Sequence, residues 1–342
     1  MAPLLEAKNV SKVFGGGKQV TVALDNFSLV VSGDPPSFTS IAGESGSGKT
    51  TLARLLLGFS QPTSGEVLYQ GKNLWKMSSG EWRQFRRDVQ AVFQDPFEVF
   101  NPFYRVDHLL TTPIDKFHLA KSKVEARAQI EQALAAVGLR PEETLGRFPH
   151  QLSGGQRQRL TIARALLLHP KLIIADEPVS MVDASLRATI LESLNRLHTQ
   201  FGISFLYITH DLTTAYQISD NIIVLYRGAV AEVGDVDLVI KKPAHPYSRL
   251  LISSIPEPSV DRRWGEDQEL PSATEVKVDT NHGCKFADRC PFVMQMCTEK
   301  VPPLYRIDDR RAAACFLHRE SPVLASEELG KVMAEKATAG TT

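Results

Sequence analysis

The residues best suited to chemistry begin with a glycine-rich run, Gly43–Thr50, that fits the pattern G-x-x-x-x-G-K-[ST] at every fixed position. In such a run, glycines let backbone N–H groups converge on phosphate oxygens, and a following helix N-terminus adds positive potential. Lys49 is placed to reach the β- and γ-phosphates of a nucleotide such as ATP, and the Thr50 hydroxyl to bind Mg²⁺. A chance glycine-rich turn is disfavoured, because an apolar run precedes the loop and leucines at helical spacing follow it. The predicted contacts to nucleotide are Gly43, Ser45, Gly46, Ser47, Gly48, Lys49, Thr50 and Thr51.

A pair of acids ends a second apolar run. Leu172–Ala175 predicts a buried strand, and Asp176 and Glu177 follow it directly. The carboxyl end of a strand is where α/β sheets bind ligands, so Asp176 is the expected partner of Mg²⁺. Glu177 is placed to act as general base toward an attacking water. Two acids at a strand end are otherwise a solvated pair, and the glycine-rich loop is what favours the catalytic interpretation.

A third motif, Leu152–Gln156, starts a predicted helix. Ser153 and Gln156 have the spacing of a capping box, and Gly154 and Gly155 leave N–H groups free for an anion. An ordinary capped helix would show the same box. At this motif the sequence resembles the ATP-binding subunits of ABC transporters, whose signature is Leu-Ser-Gly-Gly-Gln.

This resemblance covers residues 4 to about 255 and implies roles for four further residues. Phe14 matches the aromatic residue that stacks on adenine. Gln94 matches the glutamine loop, which contacts Mg²⁺ and the water and transmits motion to the membrane domain. Asp183 matches the loop that crosses the dimer, and His210 matches the switch histidine on the γ-phosphate.

The resemblance also implies an assembly. In this family ATP lies between two subunits arranged head to tail, so that the phosphate-binding loop of one faces Ser153, Gly154, Gly155 and Gln156 of the other. The chain carries one set of motifs, so a second ATPase subunit, identical or paralogous, is expected. The expected fold is α/β: a P-loop ABC-type nucleotide-binding domain with a mixed sheet core, an antiparallel β subdomain and a helical signature subdomain.

Patterning along the chain agrees with an α/β core, because short apolar runs alternate with helical segments. Residues from about 80 to 165 are expected to be mostly helical. The predicted strands are Leu5–Val13, Ala23–Val31, Ser37–Ala42, Leu172–Ala175, Ser204–Ile208, Ile222–Tyr226 and Ala229–Val233, the last two forming a hairpin.

Three units are predicted along the chain. Residues 1–255 form the ATP-binding domain, residues 256–325 a small C-terminal domain containing the cysteines, and residues 326–342 a polar, frayed tail. Pro256–Ser259 reads as a linker between the first two units.

The four cysteines, Cys284, Cys290, Cys297 and Cys315, have the spacing C-x5-C-x6-C-x17-C. A disulfide scaffold is implausible in a large chain without a visible export signal. Clustered thiolates can instead hold zinc or an iron–sulfur cluster. The spacing lacks the C-x2-C pairs of zinc ribbons and is not that of a ferredoxin, so iron–sulfur, zinc and no metal all stay open.

Three segments narrow the resemblance to the oligopeptide/dipeptide and nickel importer branch. They are Phe93–Pro96 with Asn101-Pro102 behind it, His245–Leu251, and Gly283–Pro291 with the later cysteines. Membership of this branch favours a [4Fe–4S] cluster on the four cysteines, with zinc as the alternative, in a structural or regulatory role. It implies a motor for peptide uptake, with oligosaccharides or nickel chelates as alternative cargo.

Composition limits the other function classes. Lys+Arg and Asp+Glu both number 39, and this zero net charge argues against nucleic acid as the main partner. No apolar run approaches the roughly 18 residues of a membrane span, and Met1–Glu6 lacks the features of an export signal. A soluble chain, peripheral on the cytoplasmic face of the membrane, is expected.

The expected partners are the second ATPase subunit, two membrane permease subunits and, indirectly, an extracytoplasmic substrate-binding protein. Rival classes are ABC-type ATPases of translation or DNA repair, which usually carry two ATP-binding domains or a long coiled-coil insertion, and a scaffold ATPase of iron–sulfur assembly. A P-loop kinase is disfavoured because it has no use for Leu152–Gln156.

Overall fold

Two β-sheets and the helices packed on them make up the computed structural model, which describes residues 3–16, 19–255, 282–325 and 328–333. The strands are β1 (Leu5–Gly16), β2 (Gln19–Val31), β3 (Phe38–Ala42), β4 (Ser64–Tyr69), β5 (Lys72–Asn73), β6 (Val89–Val92), β7 (Leu172–Asp176), β8 (Ser204–Thr209), β9 (Asn221–Tyr226), β10 (Ala229–Asp235), β11 (Tyr305–Asp308) and β12 (Arg311–Ala313). The α-helices are α1 (Lys49–Leu56), α2 (Ser79–Asp88), α3 (Asp107–Phe117), α4 (Lys123–Ala136), α5 (Pro141–Thr144), α6 (Gly154–Leu166), α7 (Ala184–Phe201), α8 (Leu212–Ile218), α9 (Val236–Lys241), α10 (Pro246–Ser253), α11 (Gln295–Glu299) and α12 (Leu329–Val332).

The smaller sheet is antiparallel, in the order β2-β1-β4-β5. Its long strands β1 and β2 pair from Leu5↔Val31 to Gly16↔Gln19, with register shifts along the way. One face of this sheet is apolar and packs on α1, where Leu52, Leu55 and Leu56 are buried. This is the antiparallel subdomain expected from the resemblance.

The larger sheet is mixed, in the order β11-β12-β10-β9-β3-β8-β7-β6. The five strands from β6 to β9 are parallel, and their interiors are almost wholly buried, because helices cover both faces. Strands β10, β12 and β11 extend the sheet in antiparallel fashion. The carboxyl ends of β3, β7 and β8 therefore meet at one edge, where the predicted catalytic residues follow them.

A layer of helices covers one face of the parallel strands. Helices α3, α4, α6 and α7 share one hydrophobic cluster with residues of β6, β7 and β8. Helix α6 begins at the signature motif, and the capping box predicted there is present: Ser153 Oγ accepts from Gln156 N at 3.2 Å, and Ser153 N donates to Gln156 Oε1 at 2.9 Å. This is the helical signature subdomain.

The region predicted as mostly helical contains one strand that the sequence analysis missed, β6 (Val89–Val92). This strand is short and starts directly after α2, so its apolar residues continue the helical pattern. Strand β4 was also missed, because its first half, Ser64–Glu66, is exposed and polar.

The cysteine-containing segment extends the core of the ATP-binding domain. Strand β12 pairs with β10 through Glu232↔Ala313, Val233↔Ala312 and Gly234↔Arg311, which makes β11 and β12 part of the larger sheet. The predicted boundary at residue 255 stays a prediction, since Pro256–Ser259 and the rest of 256–281 lie outside the described residues.

The expectation of a frayed tail is wrong for the part of it that the structure describes. Helix α12 places Leu329 and Val332 in the core cluster of the smaller sheet, beside Leu324. Two apolar residues three apart give one turn of helix a buried face, although the surrounding composition is polar. Residues 326–327 and 334–342 lie outside the described residues.

Candidate functional site

The phosphate loop, Gly43–Thr50, joins the buried end of β3 to the first turn of α1. Gly43, Gly46 and Gly48 all have positive φ. A Cβ on Gly43 would fall onto the carbonyl oxygen of Leu225, and one on Gly48 onto that of Ala23, well inside van der Waals contact. Gly43 and Gly48 are therefore required by the close packing of the loop against β9 and β2.

Lys49 lies inside the curve of this loop. Its ammonium donates to the carbonyl oxygens of Gly43 at 2.7 Å and Glu44 at 2.9 Å. Burial lowers the pKa of Lys49, and the carboxylates of Glu177, Asp176 and Glu44 oppose that shift. The ammonium is thus within electrostatic reach of three carboxylates.

Asp176 has the environment of a cation ligand. It ends β7, is buried, and accepts a hydrogen bond from the Thr50 side chain. Its Oδ1 is buried and has no hydrogen-bond partner among the described residues. Burial is the main cause that raises the pKa of Asp176, and nearby Glu177 adds to it. A bound Mg²⁺ would satisfy the orphaned oxygen and stabilise the carboxylate, so the residues present fit this ion.

Glu177 and His210 meet at the same edge. Glu177 has φ 47°, and its N–H donates to the carbonyl of Ile208 on β8 at 2.9 Å. Its Oε1 lies 3.0 Å from Nδ1 of His210, which follows β8. The Glu177 side chain is mostly shielded, whereas that of His210 is more than half exposed. The Glu177 carboxylate is also close enough to Lys49 of the phosphate loop to influence its charge.

Gln94 follows β6, which pairs with β7 at Val92↔Ala175, so it emerges beside Asp176 and is exposed. The loop that carries Gln94 is tied to the signature helix. Gln158 of α6 donates to the carbonyl of Phe93 at 3.1 Å, and Arg164 donates to that of Ala91 at 2.7 Å. A displacement of α6 would therefore move this loop.

The signature residues lie in the helical layer, whereas the phosphate loop lies between β3 and α1. Ser153 is exposed, and Gly155 packs against α7, where a Cβ would lie 2.7 Å from Leu186 Cδ1. The sequence prediction that these residues serve the phosphate loop of a second subunit stays a prediction.

Two further predicted contact residues are exposed. Phe14, near the end of β1, is 47% exposed and has the Lys12 ammonium 5.2 Å from its ring centroid. Asp183 precedes α7 as its N-cap residue but makes no side-chain capping bond, and it is exposed. Both side chains are available to a ligand or a partner.

The four cysteines line one small cavity, here called the cysteine pocket, beside α10 and α11. Burial raises the pKa of Cys284 to about 12, that of Cys315 to about 11, and that of Cys290 also. Within the described residues, however, no group of three or more His, Cys, Asp or Glu side chains is arranged so that it could hold a metal ion. The cysteine pocket therefore contains thiols that are able to bind a metal, but the described side chains are not arranged as a set of metal ligands.

Sequence reasoning missed two residues that contact the phosphate loop. Tyr247 of α10 accepts a hydrogen bond from Glu44 N at 2.9 Å, and Arg289, next to Cys290, binds both carboxylate oxygens of Glu44. Tyr247 belongs to the motif His245–Leu251, which had been noted only as a feature of the resemblance. Arg289 lies 245 positions from Glu44, and no local pattern predicts that pair.

An aromatic groove of about 790 Å³ opens next to Gln94. It is lined by residues of α2, β6, α3 and the segments next to them. Its aromatic side chains include Phe59, Trp82, Phe93, Phe100 and Tyr104. Its charged lining residues, Arg86, Arg105, Lys116 and Arg164, are all cationic. Over the part of the chain that the structure covers, no helix has the length and apolar character needed to cross a membrane.

Comparison with known protein families gives two matches: the ABC transporter family over residues 24–180, and the C-terminal region of oligopeptide/dipeptide transporters over residues 231–297. The Bacillus subtilis protein YkfD is 39% identical over 325 residues, which cover 93% of this chain and 97% of YkfD. The oligopeptide transport ATP-binding protein OppF of Salmonella typhimurium is 39% identical over 277 residues, 81% of this chain and 82% of OppF.

Solved structures agree with these matches. A dimeric, post-hydrolysis structure of the ATP-binding cassette MJ0796 with ADP and Pi has a TM-score of 0.60 and 32% identity, covering 68% of this chain and 98% of the cassette. The cbiO1 protein of Clostridium perfringens, part of the ABC transporter complex cbiONQ, has a TM-score of 0.61 and 26% identity, covering 71% of this chain and 92% of cbiO1.

Proposed function

Because this chain belongs to the ATP-binding proteins of the oligopeptide/dipeptide branch of ABC transporters, we propose that it is the motor subunit of a peptide importer. The chain is an ATPase, and what we propose is the class of molecule that its transporter imports. Oligosaccharides and nickel chelates are the alternative cargoes.

The match to the C-terminal region of oligopeptide/dipeptide transporters supports the peptide cargo, and the environment of Asp176 supports the ATPase chemistry. One oxygen of this buried carboxylate has no hydrogen-bond partner within the described part of the chain. The Thr50 side chain donates to the same carboxylate, and the Lys49 ammonium is close to it. This combination suits Mg²⁺ bound together with ATP. Asp176 and the Thr50 hydroxyl would hold the ion, which would supply positive charge to offset the charge that develops on the phosphates.

The chain's own residues then supply the steps of hydrolysis. The phosphate loop and Lys49 hold the triphosphate in place, which aligns the γ-phosphate for in-line attack. Glu177 accepts the proton of the attacking water as general base. His210, whose Nδ1 lies 3.0 Å from Oε1 of Glu177, would contact the γ-phosphate and leave the Glu177 carboxylate free to accept the proton of the water. Gln94 would orient the water and Mg²⁺ from the end of β6.

We propose a second ATPase subunit as the partner that completes the site. Ser153 is exposed in the helical layer, as a residue that receives the nucleotide of another subunit must be. The N-terminus of α6, where Gly154 and Gly155 contribute the N–H groups of the first turn, suits a γ-phosphate. Asp183, exposed and without a capping bond, would meet the partner across the same interface, and Phe14 would stack on adenine.

We propose that the aromatic groove receives a cytoplasmic helix of the membrane permease. The groove is apolar, and Phe93 in its lining is adjacent to Gln94, so an occupant would contact the loop that reaches the ATP site. Its cationic lining predicts acidic residues on the docked helix. Two permease subunits, one for each ATPase subunit, would place this chain peripherally on the cytoplasmic face of the membrane, with a substrate-binding protein on the opposite face.

We also propose that the cysteine pocket holds a [4Fe–4S] cluster, with zinc as the alternative. Support comes from the four thiols that line one buried cavity. Because burial raises the pKa values of Cys284, Cys290 and Cys315, a cation is needed for these three to be thiolates at neutral pH. The four thiols would have to move closer together to bind a cluster or a zinc ion.

Iron, acid-labile sulfide and zinc should be measured per chain after anaerobic purification. Iron and sulfide in equal amounts support the cluster, and absence of all three rejects both metals.

Reconstitution tests the main proposal. The chain is co-purified with its partners from native membranes, incorporated into vesicles with the substrate-binding protein, and assayed for ATP-dependent uptake of labelled di- and oligopeptides. We expect uptake that is lost in Glu177→Gln and kept in Glu192→Gln, a control on the exposed face of α7. Co-purification with ribosomes, repair proteins or cluster-assembly proteins instead of permeases would contradict the proposal.

A further inference from the structure

Glu44, the second residue of the phosphate loop, is bound at its N–H, its carbonyl and its carboxylate. Its N–H donates to the Tyr247 hydroxyl at 2.9 Å, and its carbonyl accepts from the Lys49 ammonium at 2.9 Å. Its carboxylate binds Arg289 through both oxygens, with N–O distances of 3.0 and 3.1 Å. Two of these three contacts come from the C-terminal part of the chain, far from the loop in sequence.

The segment Lys285–Arg289 is anchored to the domain around the phosphate loop by three ion pairs. Lys285 pairs with Asp25 of β2 at 3.0 Å, and Asp288 pairs with Arg227 at 2.8 Å. Arg227 and Gly228 form the turn between β9 and β10, and Gly228 N donates to Ser47 O of the loop at 2.9 Å. Arg289 is therefore presented to Glu44 from a segment that is fixed on the same face.

The charge of Glu44 matters for the nucleotide. A carboxylate in a loop that cradles phosphates repels them, and Glu44 is close enough to influence Lys49. A two-point guanidinium contact neutralises that carboxylate and fixes its position. The two side chains are 39% and 40% exposed, so solvent screens the pair and the effect on binding is moderate.

We propose that Arg289 is a positioning residue of the ATPase site, which lowers the cost of binding ATP by neutralising Glu44, while Tyr247 fixes the Glu44 main chain. The inference rests on ATP binding at the phosphate loop and is independent of the transported cargo. It gives the C-terminal segment a direct link to the nucleotide.

The test measures Mg-ATP affinity and steady-state ATPase kinetics on the full chain in its anaerobically purified complex. Arg289→Ala should raise Kd and KM for Mg-ATP about five-fold, with kcat within about two-fold, because the contact acts on binding. Arg289→Lys should recover part of the loss, because it restores the charge without the two-point geometry. The effect of Arg289→Ala should shrink in high salt.

The double variant Arg289→Ala/Glu44→Gln makes the test decisive. With the carboxylate removed, the guanidinium has nothing to neutralise, so affinity should return to within about two-fold of the parent. Arg227→Ala is the matched control: it loosens the same segment through Asp288 without unmasking the Glu44 charge. Any loss of affinity in Arg227→Ala should therefore persist when Glu44→Gln is added.

Two results would overturn the inference. One is an Arg289→Ala variant, folded by its melting temperature, whose Mg-ATP affinity equals that of the parent. The other is an Arg289→Ala defect that Glu44→Gln leaves unrepaired, which would make Arg289 a purely structural contact. Neither result depends on peptide uptake, so failure here is distinct from failure of the importer proposal.

Discussion

The Nδ1 atom of His210 lies 3.0 Å from Oε1 of Glu177, although the two residues follow different strands and are 33 positions apart. Strands β7 and β8 are parallel and paired at Asp176↔Ile208, so their carboxyl ends deliver both side chains to the same edge. The contact links the proposed general base to the residue expected to sense the γ-phosphate.

Replacing His210 by Ala should therefore lower ATP turnover in the assembled complex by about 100-fold, because the proposed contact of His210 with the γ-phosphate is lost at the reacting group. Mg-ATP affinity should change little. Turnover and affinity measured side by side check this, with His150→Ala as an exposed control outside the site. A His210 variant with parental turnover would contradict its role.

Gly43→Ala tests the packing of the phosphate loop. The added Cβ meets the backbone oxygen of Leu225 and must adopt φ +154°, so we expect a loss of about 3 kcal/mol in unfolding free energy. Gly80→Ala, in the first turn of α2 with no atom within 4 Å of the new Cβ, should be neutral or slightly stabilising. The unfolding free energies of both variants should be measured with denaturant. Equal values for the two variants would contradict the packing argument.

The pH dependence of ATP binding follows from Lys49. Burial lowers its pKa below 10.5 in the free protein, and bound phosphates favour its charged form. Below that lowered pKa the ammonium is present before and after binding, so affinity is greatest. As pH rises through it, binding must take up a proton and affinity falls.

Titration of Mg-ATP binding from about pH 7.5 to about pH 10 checks this prediction. The Lys49→Arg variant should bind Mg-ATP more weakly than the parent. Its affinity should not depend on pH, because the guanidinium stays charged throughout this range. An unchanged affinity of the parent protein across the range would contradict the assignment of Lys49 to the phosphates.

The aromatic groove yields a prediction about coupling. Tyr104→Glu places an acid among the cationic side chains of the groove and removes an aromatic surface, so it should block docking of the permease and abolish uptake. Val124→Glu is the control, because Val124 on α4 is 81% exposed, and it should keep both permease docking and uptake. Co-purification of permease subunits measures the effect, and normal assembly of Tyr104→Glu would place the docking surface elsewhere.

The motifs of the ATP site could be predicted because each is local. The phosphate loop, the acids after β7 and the capping box of α6 each occupy eight residues or fewer, and the strand or helix beside each was evident from apolar spacing. The family, the fold class and the ATPase activity expected from these motifs are confirmed.

The remaining features depend on contacts between distant parts of the chain. Strand β12 pairs with β10, Arg289 binds Glu44, and α12 returns to the core of the smaller sheet. A three-residue strand or one turn of helix carries no periodic signal of its own, and an arginine near cysteines has many functions. Tertiary burial, which sequence patterns do not encode locally, stabilises these elements.

ATP turnover of Glu177→Gln in the assembled complex tests the central claim most directly. The amide keeps the size of the side chain but cannot accept the proton of water, so Mg-ATP should bind as in the parent while turnover falls by at least about 100-fold. Glu192→Gln should match the parent in both measurements. Parental turnover in Glu177→Gln would show that another group activates the water and would contradict the account.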